Sequence, residues 1–293
     1  MKKLKNIIIS LILSASLLSC GLLVGCKDKS KTITVYASLV PHAVILNEYV
    51  KPLLEKQGYT LKVKSPAEWQ EYNNMLSAGD CDANYFQHLP YLESFNGKVK
   101  LKATCKVHYE PLGIYYGKTK KTSYKEGSFE ICNDTSNAIR AILLLTDKGV
   151  ISKETEGENY PISQDGTSFN LEKFKEYKKW TSIDGKVSIS LVPENLLANS
   201  LLDYDFACLP CSTALTGKIS AERRLDIEGG EELVAKNANI LAVRENDYIA
   251  NAEYKAKIDA LTDILLSDGL AAFIANKYNG VIICDSITQV DLR

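Results

Sequence analysis

The run Asp80-Cys81-Asp82-Ala83-Asn84-Tyr85-Phe86-Gln87-His88-Leu89-Pro90-Tyr91 gathers side chains suited to recognising a small molecule. Alternate side chains of an extended segment share a face, so Asn84, Phe86 and His88 point the same way. An apolar ring beside an imidazole suits a ligand with an apolar body and a polar or polarizable tip. A core strand entering a helix, with His88 hydrogen-bonded inside, accounts for the same residues. Arg140 is a second focus. Asn133-Asp134-Thr135-Ser136-Asn137 are all turn or N-cap types, and they predict a helix from Ala138 to Lys148 closed by Gly149. Arg140 then falls in the first turn, where the macrodipole disfavours a cation unless an anion joins it. That anion is a ligand or a nearby carboxylate such as Asp134. A third focus is Cys208-Leu209-Pro210-Cys211, a Cys-x-x-Cys that admits redox or metal chemistry if Cys208 lies near a helix N-terminus. His42, His88 and His108 are the three histidines, none at i, i+4 spacing, a weak set for a metal even with cysteines. The chain shows no nucleophile–base pair and no phosphate loop, so neither an enzyme nor a cofactor is expected.

The elements that must position these residues alternate. Strands are predicted at Thr32–Ala37, Tyr59–Val63, Val99–Val107, Phe129–Cys132, Val187–Val192, Asp205–Leu209, Ile240–Val243 and finally Val281–Ile283. Helices are predicted from Pro41 to Lys56 with a kink at Pro52, from Trp69 to Ala78, from Pro90, and from Pro193 to Leu202. Two more follow, from Ala250 to Leu266 and from Gly269 to Tyr278. Lys153–Lys179 reads as a loop, with one amphipathic helix over Leu171–Trp180 at its end. Glu110-Pro111 enters a further strand as a crossover between lobes. The class is α/β, and the opening β–α–β implies parallel pairing.

The chain has 293 residues and a formal net charge of -1, room for one large or two medium domains. It has no basic footprint for nucleic acid. The N-terminus reads as an export signal. Lys2, Lys3 and Lys5 precede the apolar run Ile7–Leu18, and Leu23-Val24-Gly25-Cys26 forms a lipobox with Cys26 as the lipidated residue; Cys20 offers a weaker one. The mature protein is expected outside the cytoplasmic membrane, held by its lipid. Cys81, Cys105, Cys132, Cys208, Cys211 and Cys284 remain, at irregular spacing that gives no disulfide framework.

These motifs together resemble the methionine-binding lipoproteins, the NlpA-type substrate-binding proteins of methionine ABC importers. The resemblance runs from the lipobox to the end of the chain. It is carried by Pro41-His42-Ala43, Asp82 through His88 with Pro90-Tyr91-Leu92, Glu110 through Tyr115, Asn133 through Asn137 with Arg140, and Asn239 before Ile240-Leu241-Ala242-Val243-Arg244. It implies a two-lobed periplasmic-binding-protein-like fold with the ligand cleft between lobes. The divisions are a signal peptide over 1–25, a tether over 26–31, lobe 1 over 32–111 and 239–293, and lobe 2 over 112–238. It also implies an anchored monomer that captures an amino acid, methionine first, and delivers it to an ABC permease and ATPase.

Carried over by residue, Arg140 would hold the ligand carboxylate, with Asn137 beside it in the motif, and Asn239 would bond the head group. Phe86 and Tyr91 would wall the side-chain pocket, and His88 would lie near the thioether. Trp69 stands where the family usually has Tyr, and Pro210 where it usually has a head-group Asn. Those departures leave open a receptor for another small amino acid or a dipeptide. A redox or metal protein using Cys208 and Cys211, and an adhesin or sensor without transport, remain the alternatives from other classes.

Overall fold

The computed structural model describes residues 29–121, 123–151, 160–163, 168–176 and 186–293. The expected signal peptide, both candidate lipidation sites and the far end of the Leu171–Trp180 helix lie outside the described residues; Leu171–Glu176 is helical.

The chain first lays down β1 (Thr32–Ala37), β2 (Thr60–Lys64), β3 (Ala83–His88) and β4 (Leu101–His108). It crosses through Tyr109–Pro111 and builds β5 (Leu112–Tyr116), β6 (Gly127–Cys132), β7 (Val187–Val192), β8 (Phe206–Pro210) and β9 (Arg224–Ile227). It returns with β10 (Asn239–Arg244) and β11 (Val290–Asp291). Two sheets result, ordered β11-β4-β10-β3-β1-β2 and β7-β6-β8-β5-β9. β1 pairs parallel with β2 and β3, as the opening pattern predicts, whereas β10 inserts antiparallel between β3 and β4. Asn239 is therefore the register partner of both His88 and His108, and the two crossings between lobes lie side by side. The molecule is two-lobed, each lobe a sheet covered by helices.

Each lobe has its own apolar core, as burial of its strand and helix faces requires. Ile33, Val35 and Tyr85 pack with Ile258, Leu261 and Ile274 in the first. Ile114, Phe129 and Ile131 pack with Ala138, Ile142 and Leu145 in the second. The latter three sit at i, i+4 and i+7 of the Thr135–Asp147 helix, one stripe of its surface. A fully buried Leu or Ile contributes about 1.5–3 kcal/mol relative to exposure.

Several boundaries depart from expectation. The Thr135–Asp147 helix starts three residues before Ala138, because Asp134 caps it by accepting the Asn137 N–H at 3.0 Å. Arg140 consequently occupies the second turn, beyond the strongest part of the macrodipole. The segment around Pro52 is helical throughout from Pro41 to Lys56, with wide π-type turns over Leu39–Ala43 and Leu46–Val50 and α-helix over Lys51–Lys56; the Lys51 N–H reaches back to the Leu46 carbonyl just before the proline. Val281–Ile283 is not a strand. Only Ile283 bridges, to Tyr109, and the edge of β4 is taken by Val290–Asp291. Ile282 is buried there as a loop residue, a placement that an apolar run of three cannot distinguish from a strand. Three helices, Glu245–Ala250, Ala252–Leu265 and Asp268–Tyr278, stand where two were expected; Asn251 caps the second by accepting the Tyr254 N–H.

The approach to β3 depends on a glycine. The Tyr72–Ala78 helix ends at Gly79, whose φ of 89° is the left-handed conformation that favours glycine. It redirects the chain toward β3. Asp82 then accepts the Thr34 N–H at 2.7 Å and pairs with Lys257 at 2.7 Å, so this carboxylate of the opening run is a fastener between elements.

Candidate functional site

A cavity of about 390 Å³ opens between the two lobes. Trp69, Phe86, His88, Tyr91 and Asn239 line it from the first lobe, and Asn137, Arg140 and Pro210 from the second. The fold therefore brings all eight sequence-derived residues to one space.

One wall is aromatic. Phe86, on β3, lies 6.1 Å from the Trp69 ring and 6.0 Å from Tyr91, and Trp69 and Tyr91 are 5.8 Å apart. Tyr72 closes the box behind Phe86 at 5.0 Å, edge-on. Such tilted and edge-on pairs are the arrangements that ring quadrupoles favour. The wall is local in sequence because Gly79 folds the Tyr72–Ala78 helix back onto β3, and because His88 and Pro90 start the Leu89–Glu93 helix that presents Tyr91. Asn84 and Phe86 share the face toward Tyr72 and Asn73, but the expected alternation does not reach His88: a bulge opposite Ile240 and Leu241 brings Gln87 onto that face instead, where it donates to Asn73 at 2.7 Å and to Asn84 at 3.0 Å, and His88 falls opposite Asn239.

His88 joins the two walls. Its Nδ1 accepts the Tyr91 N–H at 3.2 Å, and its Nε2 lies 3.4 Å from Asn137 Oδ1 on the opposite lobe. Burial and the nearby Arg140 charge push its pKa down to about 4, so the ring is neutral at neutral pH.

The opposite end is polar and charged. Arg140 is buried, and its partner is neither Asp134 nor an open solvent face but Glu228, 88 residues on. Nε bonds the two carboxylate oxygens at 3.1 and 3.3 Å, and Nη2 pairs with Oε1. Nη2 also donates to the Glu110 carbonyl at 2.8 Å, and Nη1 to Asn137 Oδ1 at 3.1 Å. Asp134 is occupied by its capping bonds and by the Cys132 thiol.

Beside Arg140 sits a buried cluster. The Glu110 carboxylate lies 2.8 Å from His108 Nε2 and 3.3 Å from His42 Nε2, and Ser212 hydrogen-bonds it too. Burial acts to raise Glu110, but these partners hold it down at about 2. His42 Nε2 also meets Asn239 Oδ1 at 3.1 Å, and Ser38 and Tyr85 hydroxyls lie 2.6 Å from the Nδ1 atoms of His42 and His108. His42, His108 and Glu110 are close enough to hold a metal ion. Each donor is already satisfied by the others and by those hydroxyls. Of the histidines that the sequence offered as a weak metal set, His42 and His108 come together here, while His88 stands with Asn137 and Tyr91.

Pro210 ends β8 against Leu112 and precedes the Cys211–Thr216 helix, with Ser212 and Thr213 lining the cavity just after it. The six cysteines among the described residues are thiols. Cys208 lies mid-strand in the second-lobe core and Cys211 begins the helix with its side chain in the first-lobe core, so they face different interiors. Burial pushes both thiols well up, away from the thiolate that redox chemistry requires. The helix N-terminus expected near Cys208 belongs to Cys211.

Sequence reasoning missed several lining residues: His42, Tyr72, Gln87, Glu110, Glu194 and Ser212. Glu110 carried a signal, the lone carboxylate in the stretch from Val107 to Ile114. Glu194 accepts from Thr213 at 2.8 Å, and burial beside Asp134 raises it to about 7. Glu228, which precedes Gly229-Gly230, had no signal at all.

The family model for NlpA lipoprotein matches residues 33–284. The methionine-binding lipoprotein MetQ of Bacillus subtilis is 32% identical over 97% of this chain and 98% of its own length. Among solved structures, a lipoprotein of Ruminococcus gnavus superposes with a TM-score of 0.71 at 32% identity, covering 87% of this chain and 100% of that one. A nutrient binding protein of Burkholderia cenocepacia bound to methionine superposes with a TM-score of 0.68 at 25% identity, covering 86% and 99%. The chain belongs to the NlpA lipoprotein family.

Proposed function

We propose that this protein is a lipid-anchored receptor that captures an amino acid, methionine first, outside the cytoplasmic membrane and delivers it to an ABC import permease and its ATPase. The observation that carries the reading is the cavity itself, with an aromatic box at one end and a buried Arg140–Asn137–Glu110–Asn239 polar end at the other. The likeness to MetQ and to a methionine-bound neighbour supports it.

In this reading the carboxylate is bound at Arg140 and Asn137. The ammonium meets Glu110 and Asn239. The side chain enters the Trp69–Phe86–Tyr91 box with His88 at its edge, where sulfur against aromatic rings contributes roughly 0.3–1.5 kcal/mol. Ser212 supplies the polar contact that Pro210 lacks. The lipid sits on Cys26, the protein acts as a monomer, and it performs no catalysis. Pro210 and Trp69 favour one second reading, the same receptor for a different small amino acid or a dipeptide.

The test is a thermal-shift panel on lipid-free protein, unfolded and refolded to remove carried-over ligand. L-Methionine should raise Tm most among the amino acids and dipeptides. A larger shift from another compound would assign the receptor to that compound, and no shift from any would remove the reading.

A further inference from the structure

Arg140 is the sole lysine or arginine lining the cavity among the described residues, yet its charge is already matched from behind. Glu228 does not line the cavity. It is buried, and it is pinned to β5: its Oε1 accepts the Leu112 N–H at 2.7 Å, while its own N–H donates to the Leu112 carbonyl at 2.9 Å. A guanidinium carries five N–H donors in a fixed fork. Glu228, the Glu110 carbonyl and Asn137 engage Nε, Nη2 and one side of Nη1, which leaves a single Nη1 N–H for an incoming group. The Tyr109 ring, 5.8 Å from the guanidinium carbon, covers part of its face.

We infer that Glu228 is a specificity-determining residue, a fixed internal anion that holds Arg140 in place and sets how strongly the cavity prefers a carboxylate head group over a neutral one. The inference rests on the reading of Arg140 as the carboxylate anchor. A ligand carboxylate approaching the pair is attracted by the guanidinium and opposed by Glu228. If the Glu228 charge is removed while its shape is kept, Arg140 loses its only directly bonded carboxylate among the described residues and gains more from an arriving anion. A residue that only braced the fold would change the affinity for acid and amide head groups together. Glu228 should change their ratio.

The experiment is calorimetric titration of wild type, Glu228→Gln and Glu228→Asp with L-methionine and with L-methioninamide, at one mildly acidic pH where both carry an ammonium. The acid-to-amide affinity ratio should rise at least about tenfold in Glu228→Gln. It should rise by about threefold in Glu228→Asp, which keeps the charge but withdraws it by one methylene. Should Glu228→Gln fail to fold, Glu228→Asp decides. A ratio equal to wild type in the folded variants overturns the inference while leaving the receptor reading intact. If wild type binds neither compound, the receptor reading fails and takes the inference with it.

Discussion

The two ends of the cavity are built in opposite ways. The aromatic end comes from one short stretch, Trp69 to Tyr91, folded on itself by the left-handed Gly79 and the cap at His88. The polar end is assembled from distant pieces: Arg140 meets Glu228 88 residues away, and His42 meets Asn239 197 residues away. The aromatic end has uncharged, partly buried rings in mutual contact, whose substitution strands no charge and should cost modest amounts. The polar end is a closed network of buried charges, where removing one partner strands another.

That contrast predicts a ranking of effects. The largest belongs to Arg140→Ala. It should abolish L-methionine binding and cost about 3–5 kcal/mol of stability, because Glu228 is left buried and unpaired. The double variant Arg140→Met with Glu228→Gln should recover part of that stability in chemical denaturation, since no charge is left unpaired and the Leu112 N–H keeps an acceptor, but no binding. If the single variant unfolds no more easily than wild type, the polar end is not the coupled network described.

The next is pH dependence. His88 is neutral in the fold with a pKa of about 4, below its unfolded value of about 6.5. The unfolded state therefore binds its proton first on acidification. The stability His88 contributes is complete above about pH 6.5 and declines as pH falls toward 4, by about 3 kcal/mol. His42, also lowered to about 4 by burial, adds in the same direction. Glu194, raised to about 7 by burial, acts in the opposite direction over the upper part of that window, so the His88 contribution is read as the difference between wild type and His88→Gln in denaturation at each pH. Identical pH profiles in the two would contradict the neutral, buried imidazole.

Smaller effects belong to the aromatic end. L-Norleucine keeps the length of methionine without its sulfur, so it should bind more weakly by roughly 0.3–1.5 kcal/mol, and Trp69→Ala should narrow that gap. Equal affinities in wild type would mean that the rings recognise bulk alone. Smallest is Trp69→Tyr, which keeps a ring and should change the titrated affinity by less than about 1 kcal/mol.

The same contrast explains how much of the molecule was readable in the sequence. Local signals, the aromatic run of β3 and the capping residues before Arg140, pointed to Phe86, His88 and Arg140 as candidates, while the roles of Trp69, Tyr91, Asn137, Pro210 and Asn239 came only from the family resemblance; all eight line the cavity. Boundaries slipped where local signals were ambiguous: Asp134 rather than Asn137 capped its helix, and Val281–Ile283 packed as a loop. The role of Glu228 was not legible, because an ion pair between residues 88 apart depends on β5 and β9 lying side by side, which no local pattern encodes. The partition of Cys208 and Cys211 into separate cores was hidden for a similar reason. Their spacing suggests a pair, but the strand-to-helix turn at Pro210 sends their side chains to opposite lobes.

If the polar end holds an amino-acid head group while the aromatic box holds its side chain, calorimetric titration of refolded, lipid-free protein with L-methionine should show one-to-one binding that disappears in Arg140→Ala and persists, weakened, in Phe86→Ala. Binding that survives Arg140→Ala with wild-type affinity would contradict that division of the cavity.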